Sequence, residues 1–181
     1  RSRGLGDVYK RQVLDLETTG FNKYDDEIVQ VSIIDQDENV LLNEYCKPEH
    51  KTELPEASAV NGITPEIVAY KKPFAFYAPI VEDILNNAEM ILIYNAGFDA
   101  AFLHAKGLEF DDSIIRDVML EFAEIYGDWN DYFQNFKWQK LSTAANYYGY
   151  KFKAHDSLED VKATLYVFNC MESGERGGLF D

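Results

Sequence analysis

The stretch Val13-Leu14-Asp15-Leu16-Glu17-Thr18-Thr19-Gly20 constrains this chain more than any other. Period-two alternation puts Asp15 and Glu17 on one face of an extended segment and Leu14 and Leu16 on the other, so an apolar-backed strand presents two carboxylates side by side. Such a pair repels itself. Hydrogen bonds, solvent, or a divalent cation that takes hard oxygen ligands can hold it at a strand end. The octet alone therefore supports two readings: a cation site, or a solvated strand edge running into a Thr-Thr-Gly turn.

Residues 1–12, polar and basic in an otherwise acidic chain that begins without Met, read as a non-native or disordered leader, with a native basic arm as the alternative. Only Val13 and Leu14 then remain as the apolar lead-in to Asp15, a short start for a buried strand. Beyond the turn, residues 28–34 are β-branched and alternating, and residues 40–46 form a third run, so an antiparallel meander is expected. Thr64 before Pro65 fits a helix N-cap and first helical position. Residues 74–87 carry helical spacing through Phe76, Ile80 and Ile84 and through Val81 and Leu85, and residues 89–94 read as a short buried strand. That order is βαβ grammar. Asn95-Ala96-Gly97-Phe98-Asp99 follows the strand at once and opens a helix, at the edge where open α/β sheets bind ligands. Residues 113–120 read as a strand or a strand-to-helix passage, and the acidic, aromatic stretch 121–136 has no clear assignment.

Residues 137–153 contain no acid. Lys137, Lys140, Lys151 and Lys153 interleave there with Trp138, Tyr147, Tyr148, Tyr150 and Phe152, a pattern able to hold a strand's phosphates and stack its bases. The plainer reading is a helix over 139–148 with core aromatics and solvated lysines. His155-Asp156-Ser157-Leu158-Glu159-Asp160 then leads into an apolar helix over 161–171, with Asp156 or Ser157 as its cap.

The chain has 181 residues, 46% of them hydrophobic, which suits a single domain over residues 13–172 followed by a short Gly-rich tail at 173–181. Its formal charge of -15 disfavours nonspecific adhesion to phosphate polymers and anionic membranes, and counts against a duplex-coating protein. Cys46 and Cys170 stand in no metal-like spacing and make no disulfide framework, so a reducing cytoplasm is the expected compartment. No apolar run is long enough to span a bilayer.

Three segments taken together, Leu14-Asp15-Leu16-Glu17-Thr18-Thr19-Gly20, Asn95-Ala96-Gly97-Phe98-Asp99 and His155-Asp156-Ser157-Leu158-Glu159-Asp160, resemble the DEDDh exonucleases. That family includes the DNA polymerase III proofreading subunit, ribonuclease T and oligoribonuclease. The resemblance spans about residues 13 to 172. The histidine five residues before Asp160 marks the histidine branch, and Asp156 stands where the other branch has a tyrosine. One departure is Asn61-Gly62-Ile63-Thr64, where relatives often have His-Gly-Ile-Thr; it is expected to leave catalysis untouched.

The resemblance implies an α/β, ribonuclease H-like mixed sheet that starts with the meander and is flanked by helices. It implies 3′-to-5′ hydrolysis of phosphodiesters, with two Mg2+ or Mn2+ ions held by Asp15, Glu17, Asp99 and Asp160. His155 would be the general base, and Thr18 and Phe98 would position the terminal nucleotide; Lys151 and Lys153, of the acid-free stretch, are the expected substrate contacts outside the motifs. The expected partner is the 3′ end of a single strand, DNA first and RNA or short oligonucleotides as the alternative. No polymerase-binding tail is evident, and a homodimer would match ribonuclease relatives. A binding module that holds nucleic-acid ends without turnover is the reading from another class.

Overall fold

A computed structural model of the chain describes residues 10–175 and residue 177. A five-stranded mixed sheet has the order β3-β2-β1-β4-β5, built from β1 (Arg11–Thr18), β2 (Ile28–Asp35), β3 (Val40–Tyr45), β4 (Met90–Ile93) and β5 (Ile115–Asp117). The first three strands pair antiparallel, β1 and β4 pair parallel, and so do β4 and β5. The expected ribonuclease H-like architecture is therefore present.

The three central strands β1, β2 and β4 feed two cores, as period two requires. Leu14, Leu16, Ile33, Ile91 and Ile93 pack with Phe74, Tyr77, Val81 and Leu85 of α3 (Phe74–Asn86) and with Phe102 and Leu103 of α4 (Ala96–Ala105). Val13, Ile34 and Leu92 face the other way. They meet Val118 and Phe122 of α5 (Val118–Tyr126), Ala144 and Ala145 of α6 (Leu141–Tyr147), and Val161, Leu165 and Phe168 of α7 (Ser157–Ser173). Full burial of Phe102, Phe122 and Phe168 contributes roughly 1.5–3 kcal/mol per side chain. Two short helices, α1 (Pro55–Asn61) and α2 (Pro65–Val68), cover the end of β2 near Val29, and α2 starts on the expected Thr64 and Pro65.

Several boundaries differ from the sequence pattern. The proposed leader lies outside the described residues up to residue 9, but Arg11 and Gln12 belong to β1, paired with Met90 and Ile91 and, for Gln12, with Asp35. The strand thus has two more residues of lead-in than its apolar pattern marks. In α3 the buried stripe is Phe74, Tyr77, Val81 and Leu85, while Phe76 and Ile80 are exposed. The 113–120 passage resolves into a 3-10 turn (Asp112–Ile114), β5 and the start of α5, whose cap is Asp117. The unassigned stretch completes α5 and forms a separate hairpin, β6 (Trp129–Asn130) and β7 (Asn135–Phe136). α6 starts at Leu141, later than expected, and α7 starts earlier, at Ser157, with Asp156 as its cap. Among the described residues no helix is long and apolar enough to cross a membrane.

Candidate active site

β1 outruns its parallel neighbour. The last β1–β4 pair is Leu14 with Ile93, so residues 15–18 project past the carboxyl end of β4, the edge at which a crevice opens in α/β sheets. A register shift between Glu17 and Thr18 marks the same place, where a bulge re-aims side chains. The crevice is a cleft of about 630 Å³ lined by Asp15, Glu17, Thr18, Phe98, Asp99, His155 and Asp160 among others. Three widely separated segments therefore converge.

Each segment is pinned by a specific bond. The Leu16 N–H donates to Asp99 Oδ1 at 3.1 Å, tying the first turn of α4 to β1 across 83 positions. The Ser157 hydroxyl donates to the Asp15 carbonyl at 3.0 Å and seats the first turn of α7 on the same strand. The His155 N–H donates to Asp160 Oδ2 at 3.2 Å. Asn95 and His155, which precede α4 and α7, both have left-handed backbone with φ of 69° and 65°. For residues other than glycine that conformation costs about 1–3 kcal/mol and clusters at functional sites.

The Thr-Thr-Gly turn is organised by Asp26. Its carboxylate accepts from the Thr19 hydroxyl at 2.9 Å and the Asn22 N–H at 2.8 Å, and it pairs with Lys51. Burial works against its charge, but Lys51, Asn22 and Thr19 together hold its pKa below the usual range. A Cβ on Gly20 would stand 2.6 Å from Asp26 Oδ2, so only glycine fits. Thr18 donates its hydroxyl to the Gly20 carbonyl at 2.6 Å and so serves the turn as well as lining the cleft.

Four carboxylates share little compensation. Burial, then the charges of Asp99, Asp160 and Glu17, push the Asp15 pKa well above its ordinary value. Burial likewise raises Asp99 far above the usual range, partly opposed by the Leu16 N–H, and raises Glu17. Asp160 is pushed up to about 7 by burial and then by Glu17. Asp15 Oδ2 and Asp160 Oδ1 are buried without a hydrogen-bond partner among the described residues. Ligand atoms of Glu17, His155 and Asp160 lie within 4.8 Å of one another. Orphaned, mutually repelling carboxylate oxygens fit a divalent cation that prefers oxygen donors, and they fit a solvated strand edge poorly.

Some assignments shift. Lys151 and Lys153 are exposed on the loop before His155 and do not line the cleft; the lysine that does is Lys140. Of the aromatics in 137–153, Tyr147, Tyr148, Tyr150 and Phe152 pack against the core, and Trp138 lines the cleft. Phe98 packs on Phe102 with ring centroids 4.8 Å apart and meets the exposed Phe21 edge-on at 6.2 Å. Asn61, expected to be a bystander, donates from Nδ2 to Glu17 Oε2 at 3.0 Å. Its departure from histidine was visible in the sequence, but its reach to Glu17 depends on how α1 docks.

Residues 13–168 match the family model described as Exonuclease, of the ribonuclease T type. The chain is 34% identical to the uncharacterized exonuclease CP81 of Escherichia phage 186, over 91% of this chain and 89% of the phage protein. It is 37% identical to the DNA polymerase III subunit epsilon of Haemophilus influenzae over 50% of this chain and 38% of that subunit. In fold it resembles E. coli exonuclease I, solved in complex with a dA16 oligonucleotide, with a TM-score of 0.73 and 22% identity over 91% of this chain and 41% of that one. With a family model matched over most of its length and a relative of nearly equal length at 34% identity, the chain belongs to the exonuclease family of the ribonuclease T type.

Proposed function

We propose that this protein is a metal-dependent exonuclease that releases nucleoside monophosphates stepwise from the 3′ end of single-stranded DNA. The observation that carries the reading is the pair of buried oxygens, Asp15 Oδ2 and Asp160 Oδ1, that have no partner among the described residues and lie within a cluster of four carboxylates facing one cleft. Asp15, Glu17, Asp99 and Asp160 would hold two Mg2+ or Mn2+ ions, whose charge, when bound, stabilises both the attacking and the leaving oxygen of the displacement.

The chain's own groups do the rest. His155 sits exposed on the loop before α7 and acts as general base, taking a proton from the attacking water. Its main-chain bond to Asp160 fixes where the imidazole starts. Phe98, backed by Phe102, offers a ring for the terminal base, and the Thr18 segment borders the sugar and phosphate. A terminal nucleotide must be unstacked to enter so confined a cleft, which favours single strands. The likeness to an exonuclease solved with an oligodeoxynucleotide, and to the epsilon subunit of a DNA polymerase, supports DNA over RNA.

The test is a time course on 5′-labelled single-stranded DNA and RNA with Mg2+, with Mn2+ and with chelator. A ladder shortening from the 3′ end, faster on DNA and absent in chelator, is expected. Asp15→Asn should slow it at least about 100-fold, the scale of losing one preorganised contact to the transition state. Degradation that survives both chelator and Asp15→Asn overturns the proposal.

A further inference from the structure

Beside the cleft stands a feature the catalytic reading leaves unused. The β6–β7 hairpin has two residues per strand, and isolated ribbons of that size are marginal in water. This one is nonetheless heavily braced. Lys137 closes its base through an N–H bond to the Asp128 carbonyl at 2.8 Å and an ion pair to the Asp128 carboxylate at 2.9 Å. Trp129 and Phe136 meet edge-on across the strands at 5.0 Å. At the tip, Asn130 Oδ1 accepts from the N–H groups of both Tyr132 and Phe133.

What the bracing presents is aromatic surface. Tyr132 is 86% exposed and Phe133 67%, with ring centroids 4.8 Å apart. A patch of rings held out in water is a contact surface in search of a partner. The hairpin also continues into the cleft wall. Directly after β7, Trp138, Gln139 and Lys140 line the cleft, and the Tyr94 hydroxyl donates to the Gln139 carbonyl at 2.8 Å, anchoring that segment to the end of β4. With Asp128 neutralised by Lys137, the hairpin keeps one other carboxylate, Asp131. Lys140, and Lys151 and Lys153 on the loop before His155, carry no ion pair among the described residues. Exposed rings on a segment that runs straight into Trp138 and Lys140 of the cleft wall suit a chain of stacked bases joined by phosphates.

We propose that the hairpin tip and Trp138 form a stacking track for the bases of a single strand upstream of its 3′ end, extending the cleft's grip beyond the terminal nucleotide. The inference rests on the exonuclease reading of the cleft. Loss of stacking on two rings should weaken binding of a strand long enough to reach them by at least about 30-fold and leave shorter substrates alone.

The experiment compares the full chain with its Tyr132→Ala/Phe133→Ala and Tyr132→Phe/Phe133→Tyr variants, on a thymidine dinucleotide and on a dT12 strand. The double alanine variant should show the parent's melting curve, a KM for dT12 raised at least about 30-fold with kcat within about twofold, and unchanged dinucleotide kinetics. The ring-conserving variant should match the parent. Fluorescence polarisation of labelled dT12 in chelator should show the same loss of affinity without turnover. If the parent degrades neither substrate, the exonuclease reading fails, while the polarisation arm still tests the hairpin. Unchanged dT12 binding in the alanine variant overturns the track. So does an equal loss on both lengths, or a parent that self-associates through the hairpin in sedimentation while the variant binds DNA normally.

Discussion

Asn61 holds Glu17: its Nδ2 lies 3.0 Å from Glu17 Oε2, while its Oδ1 accepts the Ile63 N–H at 3.0 Å. The second bond fixes which end of the amide faces the carboxylate, so the side chain works as a rigid donor aimed at a candidate ligand. Removing such an outer support typically costs 10- to 100-fold in metal affinity. Asn61→Ala is accordingly expected to raise the Mg2+ concentration for half-maximal activity about tenfold and to weaken Mg2+ binding by calorimetry equally, with little change in melting temperature in chelator. An unchanged Mg2+ requirement would remove Asn61 from the site.

The crowded carboxylates make the metal-free protein sensitive to alkali. Asp160 has a folded pKa of about 7, raised by burial and by Glu17, against about 4 for an unfolded aspartate. The folded state therefore keeps a proton that the unfolded chain gives up. That group's stability is complete below about pH 4 and is lost as the pH rises through about 7. Asp15 and Asp99, also raised, act in the same direction. Melting in chelator should fall by about 5 °C or more between pH 5 and pH 8, and Mg2+ should restore most of it. Asp160→Asn, which carries no charge to bury, should flatten the fall while abolishing turnover. A flat profile in the parent would contradict the assignment.

The convergence of Asp15, Glu17, Asp99 and Asp160 on one cleft was legible because they stand at segment joints, at the end of β1 and the starts of α4 and α7. Packing choices were less legible. In α3 two apolar stripes compete, and which one is buried depends on the sheet beneath: Phe74, Tyr77, Val81 and Leu85 win, leaving Phe76 and Ile80 in solvent. The start of β1 was hidden because Gln12 is buried by ladder pairing on both sides, which hydrophobic alternation does not register. Strands of two residues, as in β6 and β7, are too short to show any period at all. Lys140 and Lys151 look alike in sequence, and only the docking of α6 places Lys140 on the cleft wall.

His155 is exposed and reaches the cleft from a left-handed backbone, a costly way to place a side chain that only fills a loop. As general base it should be worth about 100- to 10,000-fold in rate. His155→Gln is expected to lose that much kcat on single-stranded DNA while binding labelled dT12 like the parent in a polarisation assay. His155→Gly should lose the same activity yet melt no lower, because glycine adopts the left-handed conformation without strain. A glycine variant that retained kcat would show the imidazole to be dispensable.

The turn after β1 depends on the absence of one carbon. The Asp26 carboxylate that a Gly20 Cβ would strike cannot swing away cheaply, since Thr19, Asn22 and Lys51 all hold it. Overpacking of this kind costs about 1–3 kcal/mol, so Gly20→Ala should lower the melting temperature by about 3–10 °C. It should also reduce activity, because the same turn carries Thr18 and Phe21 into the cleft. Gly97→Ala is the matched control: it lies in α4 with nothing within 4 Å of the added carbon, and alanine is the better helix former by about 1 kcal/mol. Equal melting temperatures for the two variants would mean that Asp26 yields, and that the turn is held by its hydrogen bonds and not by close contact.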